Sequence, residues 1–151
     1  MFHKVDTDLN FIEREDKVRN FWKENQIFEK SIEARAQGTP YVFYDGPPTA
    51  NGKPHIGHVL ARVFKDMVPR YRSMKGYMVP RKAGWDTHGL PVELEVEKNL
   101  GLDGKEQIET YGLEPFIAHC KESVWKYKGM WEDFSNTVGF WADMENPYVT
   151  Y

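Results

Sequence analysis

Tyr41-Val42-Phe43-Tyr44-Asp45-Gly46-Pro47-Pro48-Thr49-Ala50-Asn51-Gly52-Lys53-Pro54-His55-Ile56-Gly57-His58 is the stretch whose reading decides the fold. The first four residues are aromatic or β-branched and are stopped by Asp-Gly-Pro-Pro, which predicts a short strand over 41–44 that ends in a stiff loop. After Pro54, apolar residues recur at Ile56, Val59, Leu60, Val63, Phe64, Met67, Tyr71 and Met74, the three-four spacing of a buried helix face. Arg62, Lys65, Asp66, Arg70 and Arg72 fall outside that stripe. Pro69 lacks a backbone donor, so a kink or an early stop is expected near 65–68, and Gly76 closes the segment. Tyr77-Met78-Val79 reads as a second strand, followed by the glycine-bearing loop Gly84-Trp85-Asp86-Thr87-His88-Gly89. Strand, helix, strand in this order is a βαβ unit with parallel strands and a right-handed crossover. The expected class is therefore α/β, the first half of a Rossmann-like parallel-sheet domain preceded by an N-terminal helix.

Working outward, residues 10–25 form an amphipathic pattern with Phe11, Val18, Phe21 and Trp22 on one stripe, and Asn10 with Glu13 could close a capping box. A polar linker over 33–39 separates this part from the rest, which divides the chain into a helical extension at 1–39 and half of a nucleotide-binding domain at 40–151. Residues 91–100 favour a helix. A long one is expected from Pro115, with Ile117, Cys120, Val124, Tyr127, Met130, Trp131 and Phe134 facing the core rather than any cofactor. The final run, 147–151, is β-prone and has no closing element after it, so it reads as a cut.

Composition narrows the function. With 20 basic residues against 23 acidic ones, no global positive field gathers a polyanion around this segment. A single cysteine, Cys120, forms neither an intrachain disulfide nor a zinc cluster, and there is no signal peptide or membrane-length apolar run, which together suit a reducing cytoplasm.

In an open parallel sheet, ligands bind outside the carboxyl ends of the strands. Both glycine-bearing loops, 45–58 and 84–89, leave those ends and should face one crevice. Glycines there permit close backbone approach, and a helix start offers free N–H groups and a positive dipole end to an anion. His55 and His58, three apart, share one face at that end. On spacing alone they could be a metal pair, polar surface residues or anion ligands, although no third metal ligand is evident. Lys53 does not belong to a P-loop, because Gly-x-x-x-x-Gly-Lys-Ser/Thr is absent.

The string His55-Ile56-Gly57-His58, placed after a first strand, resembles the HIGH signature of the class I aminoacyl-tRNA synthetases. The flanks Asp45-Gly46-Pro47-Pro48-Thr49-Ala50-Asn51-Gly52 and Gly84-Trp85-Asp86-Thr87-His88-Gly89-Leu90-Pro91-Val92-Glu93 resemble the isoleucine members, the isoleucyl-tRNA synthetases, more than the valine or leucine ones. The resemblance runs from the helix around Trp22 to Tyr151. It implies an enzyme that binds isoleucine and ATP with Mg2+, forms isoleucyl-adenylate and passes the acyl group to tRNA(Ile). It also implies catalytic roles for His55 and His58. Thr49, Asn51, His55, Gly57 and His58 would contact ATP, with Gly57 leaving room for adenine. Gly46, Pro47 and Asp86 would hold the amino acid, Asp86 through the ammonium; Trp85 and His88 complete the candidates.

The family's editing domain, second lysine signature, zinc sites and most of its tRNA contacts would lie beyond residue 151, so this chain alone is expected to charge tRNA weakly or not at all. A nucleotide-binding module that keeps a half-site without turnover, and a valine or leucine relative, are the alternatives.

Overall fold

The computed structural model describes residues 2–5, 7, 9–43, 45–46, 48–49 and 52–150. The elements run α1 (Phe11–Glu24), α2 (Ile27–Glu33), α3 (Ile56–Met74), β1 (Lys82–Trp85), α4 (Leu90–Leu100), α5 (Lys105–Tyr111), α6 (Leu113–Lys126), α7 (Lys128–Thr137) and β2 (Asp143–Val149). Among the described residues, β1 and β2 form a parallel two-stranded sheet with Lys82 opposite Asp143 and Trp85 opposite Val149. Parallel strands need a long crossover, and α4 to α7 supply it. The core lies between β1 and this crossover: Trp85, Val92, Val124 and Trp131 are buried together, with Cys120, Tyr127, Phe134 and Val149 against them. The architecture is α/β, and no helix among the described residues is long and apolar enough to cross a membrane.

The strands differ from expectation. Over 41–43 the chain forms no strand, and Tyr44 lies outside the described residues. Two single parallel bridges lie on either side of this stretch, Pro40 with Met78 and Thr49 with Asp86. The second strand also moves: 77–79 contributes only the Met78 bridge, and β1 forms at 82–85, taking in Gly84 and Trp85 from the start of the stretch read as a loop. Ala83, Gly84 and Trp85 are all buried, so packing on both faces sets the strand where intrinsic propensity around Gly84 did not.

The helix expected after His55 is present, but its faces are exchanged. Ile56 is 83% exposed and Met74 73%, and Leu60, Val63, Phe64, Met67 and Tyr71 also face outward. Arg62 and Pro69 are the buried residues of α3. The inward face is polar. Asp66 pairs with Arg70 and with Arg81 at 3.2 Å and accepts the Trp141 N–H at 3.1 Å. Arg70 lies 3.6 Å from the Trp141 ring centroid and donates to the Gly139 carbonyl at 2.6 Å. Periodicity shows which residues share a face and says nothing of what covers it. Nor does α3 stop near Lys65. It runs through Pro69 to Met74, with the proline buried in the helix interior.

A contiguous apolar stripe of this size is unusual on a monomer's surface. The isolated chain is therefore expected to bind the dye ANS strongly, and Leu60→Lys with Phe64→Lys should cut the fluorescence by more than half with the circular dichroism unchanged. Equal dye binding by this double variant would place the apolar surface elsewhere.

At the N-terminal end, Asn10 caps α1 by accepting the Glu13 N–H at 3.2 Å, but Glu13 pairs with Lys17 at 2.7 Å instead of returning the bond. Phe11, Val18 and Phe21 are exposed, and the helix meets the body through Trp22, whose ring stands edge-on to Trp141 at 5.1 Å. The long helix from Pro115 is two, α6 and α7, broken at Tyr127, whose hydroxyl donates to Glu95 at 2.7 Å. Val124 and Trp131 point inward as expected, while Ile117 and Met130 are exposed. The short helices α2 and α5 were not foreseen, and the β-prone end belongs to the longer β2.

Candidate functional site

The start of α3 is closed by its own histidines. His55 is the N-cap, in extended backbone, and its Nδ1 accepts the Gly57 N–H at 3.1 Å. His58 Nδ1 accepts the His55 N–H at 2.9 Å. This is a reciprocal capping box in which two imidazoles do what a hydroxyl and a carboxylate usually do. Two consequences follow. The backbone N–H groups of His55 and Gly57 are taken, and that of His58 donates to the His55 carbonyl at 2.8 Å, so the free donors expected at this helix end are largely spent. Each Nδ1 is an acceptor, which places the proton of the neutral ring on Nε2 and leaves Nε2–H as the outward donor. The two rings lie 3.8 Å apart, centroid to centroid.

Gly57 has a local reason to be glycine. A Cβ there would stand 3.0 Å from His55 Cε1 and 3.1 Å from Nδ1, tight enough to push the capping ring aside.

The cleft beside this helix end has a volume of about 360 Å³. Of the residues singled out from sequence, Gly46, Thr49, His55 and His58 line it; Gly57 does not. Pro47 and Asn51 lie outside the described residues. Asp86 stands at its edge, bridged to Thr49, with its N–H on the Pro48 carbonyl at 3.0 Å. Two hydroxyls reach its carboxylate, Thr49 Oγ1 and Thr150 Oγ1, each at 3.4 Å. Both bonds are long, which leaves the carboxylate capacity for a cationic partner. His88 is exposed, with Nε2 3.0 Å from the Thr150 carbonyl oxygen. The Trp85 ring is 2% exposed and sits in the core, away from the cleft.

Four contributors escaped the sequence reading: Arg62, Lys65, Trp131 and Thr150. The first two had a legible signal, because His58, Arg62 and Lys65 are spaced four and three apart on one helix face. Lys65 Nζ lies 2.6 Å from the buried Asp45 carboxylate and donates to the Gly46 carbonyl at 3.0 Å, fixing the first residues of the loop. Arg62, 6% exposed, lies beneath the cleft with its Cζ 5.3 Å from the Trp131 centroid and 4.6 Å from that of Phe140. Burial lowers its guanidinium below the usual range and Asp45 opposes this. Trp131 and Thr150 come from distant parts of the chain and carry no local motif. Among the described residues no group of three His, Cys, Asp or Glu side chains gathers to hold a metal.

His58 is pushed below the ordinary histidine value, first by burial and then by the charges of His55, Arg62 and Lys65. The folded form thus holds the neutral ring, and the stability tied to it is complete above the unfolded value of 6.5 and lost as pH falls through the lowered value. Protonation would also turn the Nδ1 acceptor into a donor facing the His55 N–H. Hydrogen exchange at the His55 amide should therefore accelerate, beyond its intrinsic pH dependence, as pH falls through the lowered His58 value; protection that persists once the ring NMR shifts of His58 show it protonated would contradict the capping tautomer.

Comparison with known proteins adds three findings. The family model described as "tRNA synthetases class I (I, L, M and V)" matches residues 17–151. The whole chain is 59% identical to an "Isoleucine--tRNA ligase" of Clostridium novyi (strain NT) and 60% identical to one of Clostridium tetani, and it spans only 14% and 15% of those proteins. In fold, it matches the crystal structure of the ternary complex of Agrobacterium radiobacter K84 agnB2 LeuRS-tRNA-LeuAMS with a TM-score of 0.64 over 93% of this chain and 16% of that one, at 21% identity.

Proposed function

Because the chain belongs to the class I tRNA synthetases of the I, L, M and V group, we propose that its cleft is one half of an isoleucine-activation site, working within a polypeptide of its relatives' length. The observation that carries this reading is the pair of imidazoles, His55 and His58, whose Nδ1 atoms are occupied by their own capping box, leaving Nε2–H to donate, and which line a cleft together with Lys53, Arg62 and Lys65. The identity of 59–60% with proteins named for isoleucine supports the choice of amino acid.

In the reaction, the isoleucine carboxylate attacks the α-phosphorus of ATP, an acyl–phosphate bond forms, and the bond to the leaving pyrophosphate breaks. Negative charge shifts onto the phosphate oxygens as this happens. His55 and His58 would donate Nε2–H to that charge, a task for fixed neutral donors that need neither gain nor lose a proton. Thr49, Asn51 and Gly57 would border the nucleotide. Gly46 and Pro47 would form the amino-acid wall, and Asp86, held by Thr49 and Thr150, would take the ammonium, with Trp85 behind it in the core and His88 beside it. Mg2+ would arrive with the triphosphate, whose oxygens suit it better than any ligand set formed by the described residues.

Transfer to tRNA(Ile) and any zinc would belong to the rest of such a polypeptide. This segment alone should charge tRNA little or not at all. Residues 1–39 would serve as an extension and 40–151 as the catalytic half-domain, in a cytoplasmic enzyme. Isoleucine-dependent exchange of pyrophosphate into ATP by the full-length protein tests the proposal.

A further inference from the structure

Trp131 is a core residue with a second set of contacts that the core does not require. It is 3% exposed and packed with Trp85, Val92 and Val124, yet it also forms a wall of the cleft. Its indole Nε1–H donates to the Gly52 carbonyl at 2.9 Å, across 79 residues of chain. Its ring meets His58 edge-to-face with centroids 4.7 Å apart and carries the Arg62 guanidinium at 5.3 Å.

The segment from Asp45 to His55 has no helix or strand of its own among its described residues. Side chains hold it from two sides: Lys65 grips the Gly46 carbonyl at its start, and Trp131 grips the Gly52 carbonyl shortly before His55. Gly52 is half-buried, and a carbonyl withdrawn from water costs free energy when it loses its donor, so a single N–H can decide where such a loop rests.

We propose that Trp131 is a positioning residue, its indole N–H setting the loop that leads into His55 while its ring edge sets the plane of His58. The helix α7 is thereby coupled to the phosphate-facing donors. The inference rests on the proposed role of His58.

The test uses the full-length protein and the single-turnover rate of adenylate formation at saturating ATP and isoleucine. Trp131→Phe keeps an aromatic edge and most of the apolar volume but removes the donor. The expected result is a five- to tenfold slower rate, roughly the value of one neutral hydrogen bond, with the isoleucine requirement changed less than twofold because Thr150 holds Asp86 from outside that loop. Val124→Ala, in the same core but not among the residues that line the cleft, should lower the melting temperature at least as much and leave the rate near wild type. Equal rates in Trp131→Phe and the wild type, or equal slowing in Trp131→Phe and Val124→Ala, would overturn the positioning role. His58→Ala is measured alongside. If it is slow while Trp131→Phe is not, only the positioning role falls; if His58→Ala keeps the wild-type rate, the reading of the site falls first.

Discussion

In the full-length protein, His58→Ala is expected to slow adenylate formation about a hundredfold at saturating ATP while ATP binding weakens much less. The expectation follows from where the imidazole stands. Its Nδ1 is committed to the His55 N–H at 2.9 Å and its face is set by Trp131 at 4.7 Å, so Nε2–H is aimed before any ligand arrives. A preorganised donor of this kind gains most from charge that grows in the transition state, and losing one typically costs on the order of 3 kcal/mol of barrier. The capping bond is lost too, at about 0.5–2 kcal/mol of stability. That loss appears in the melting temperature, whereas the single-turnover rate of the folded protein reads the donor. A rate near wild type with weaker ATP binding would make His58 a ground-state ligand only.

Asp86→Ala should raise the isoleucine requirement at least tenfold and leave ATP binding nearly unchanged. The carboxylate is the acidic group at the cleft edge whose described partners are two hydroxyls at 3.4 Å and no cation. A charge-assisted bond to a substrate ammonium is worth about 1.5–3 kcal/mol, which is the tenfold or more expected here. The backbone bond from Asp86 to the Pro48 carbonyl survives the substitution, so the loop keeps its bridge. Asp86→Asn, which keeps both hydroxyl partners and removes only the charge, should behave alike. Steady-state exchange kinetics with each substrate varied in turn check this, and an unchanged isoleucine dependence would leave Asp86 as a structural ligand of Thr49 and Thr150.

Local signals in the sequence reached far, and their failures have physical causes. The start of α3 at His55–His58 and the inward positions of Val124 and Trp131 depend on spacing within one or two turns, which a sequence displays. Placement of β1 depends on Ala83 and Gly84 being closed in on both faces, a tertiary effect. The exchanged faces of α3 are the most instructive case. The apolar stripe from Ile56 to Met74 was read correctly as a stripe, but the inward face meets Trp22, Arg81, Gly139 and Trp141, which offer rings and polar groups to Asp66 and Arg70, and the rings of Trp131, Phe134 and Phe140, which receive Arg62. At the cleft, the histidine pair was visible as a motif and its tautomer was not, since that follows from two hydrogen bonds of a particular turn. Trp131 and Thr150 reach their partners from 79 and 64 residues away, and no window of sequence contains both ends.

Amino-acid-dependent exchange of labelled pyrophosphate into ATP by the full-length protein tests the central claim most directly, because it reads adenylate formation without tRNA. The account predicts robust exchange with isoleucine, almost none with leucine or methionine, and valine lower by roughly ten- to two-hundredfold, the magnitude already established for isoleucine against valine in this family. Exchange that prefers leucine, methionine or valine, or no exchange with any of the four in a folded full-length protein, would contradict it.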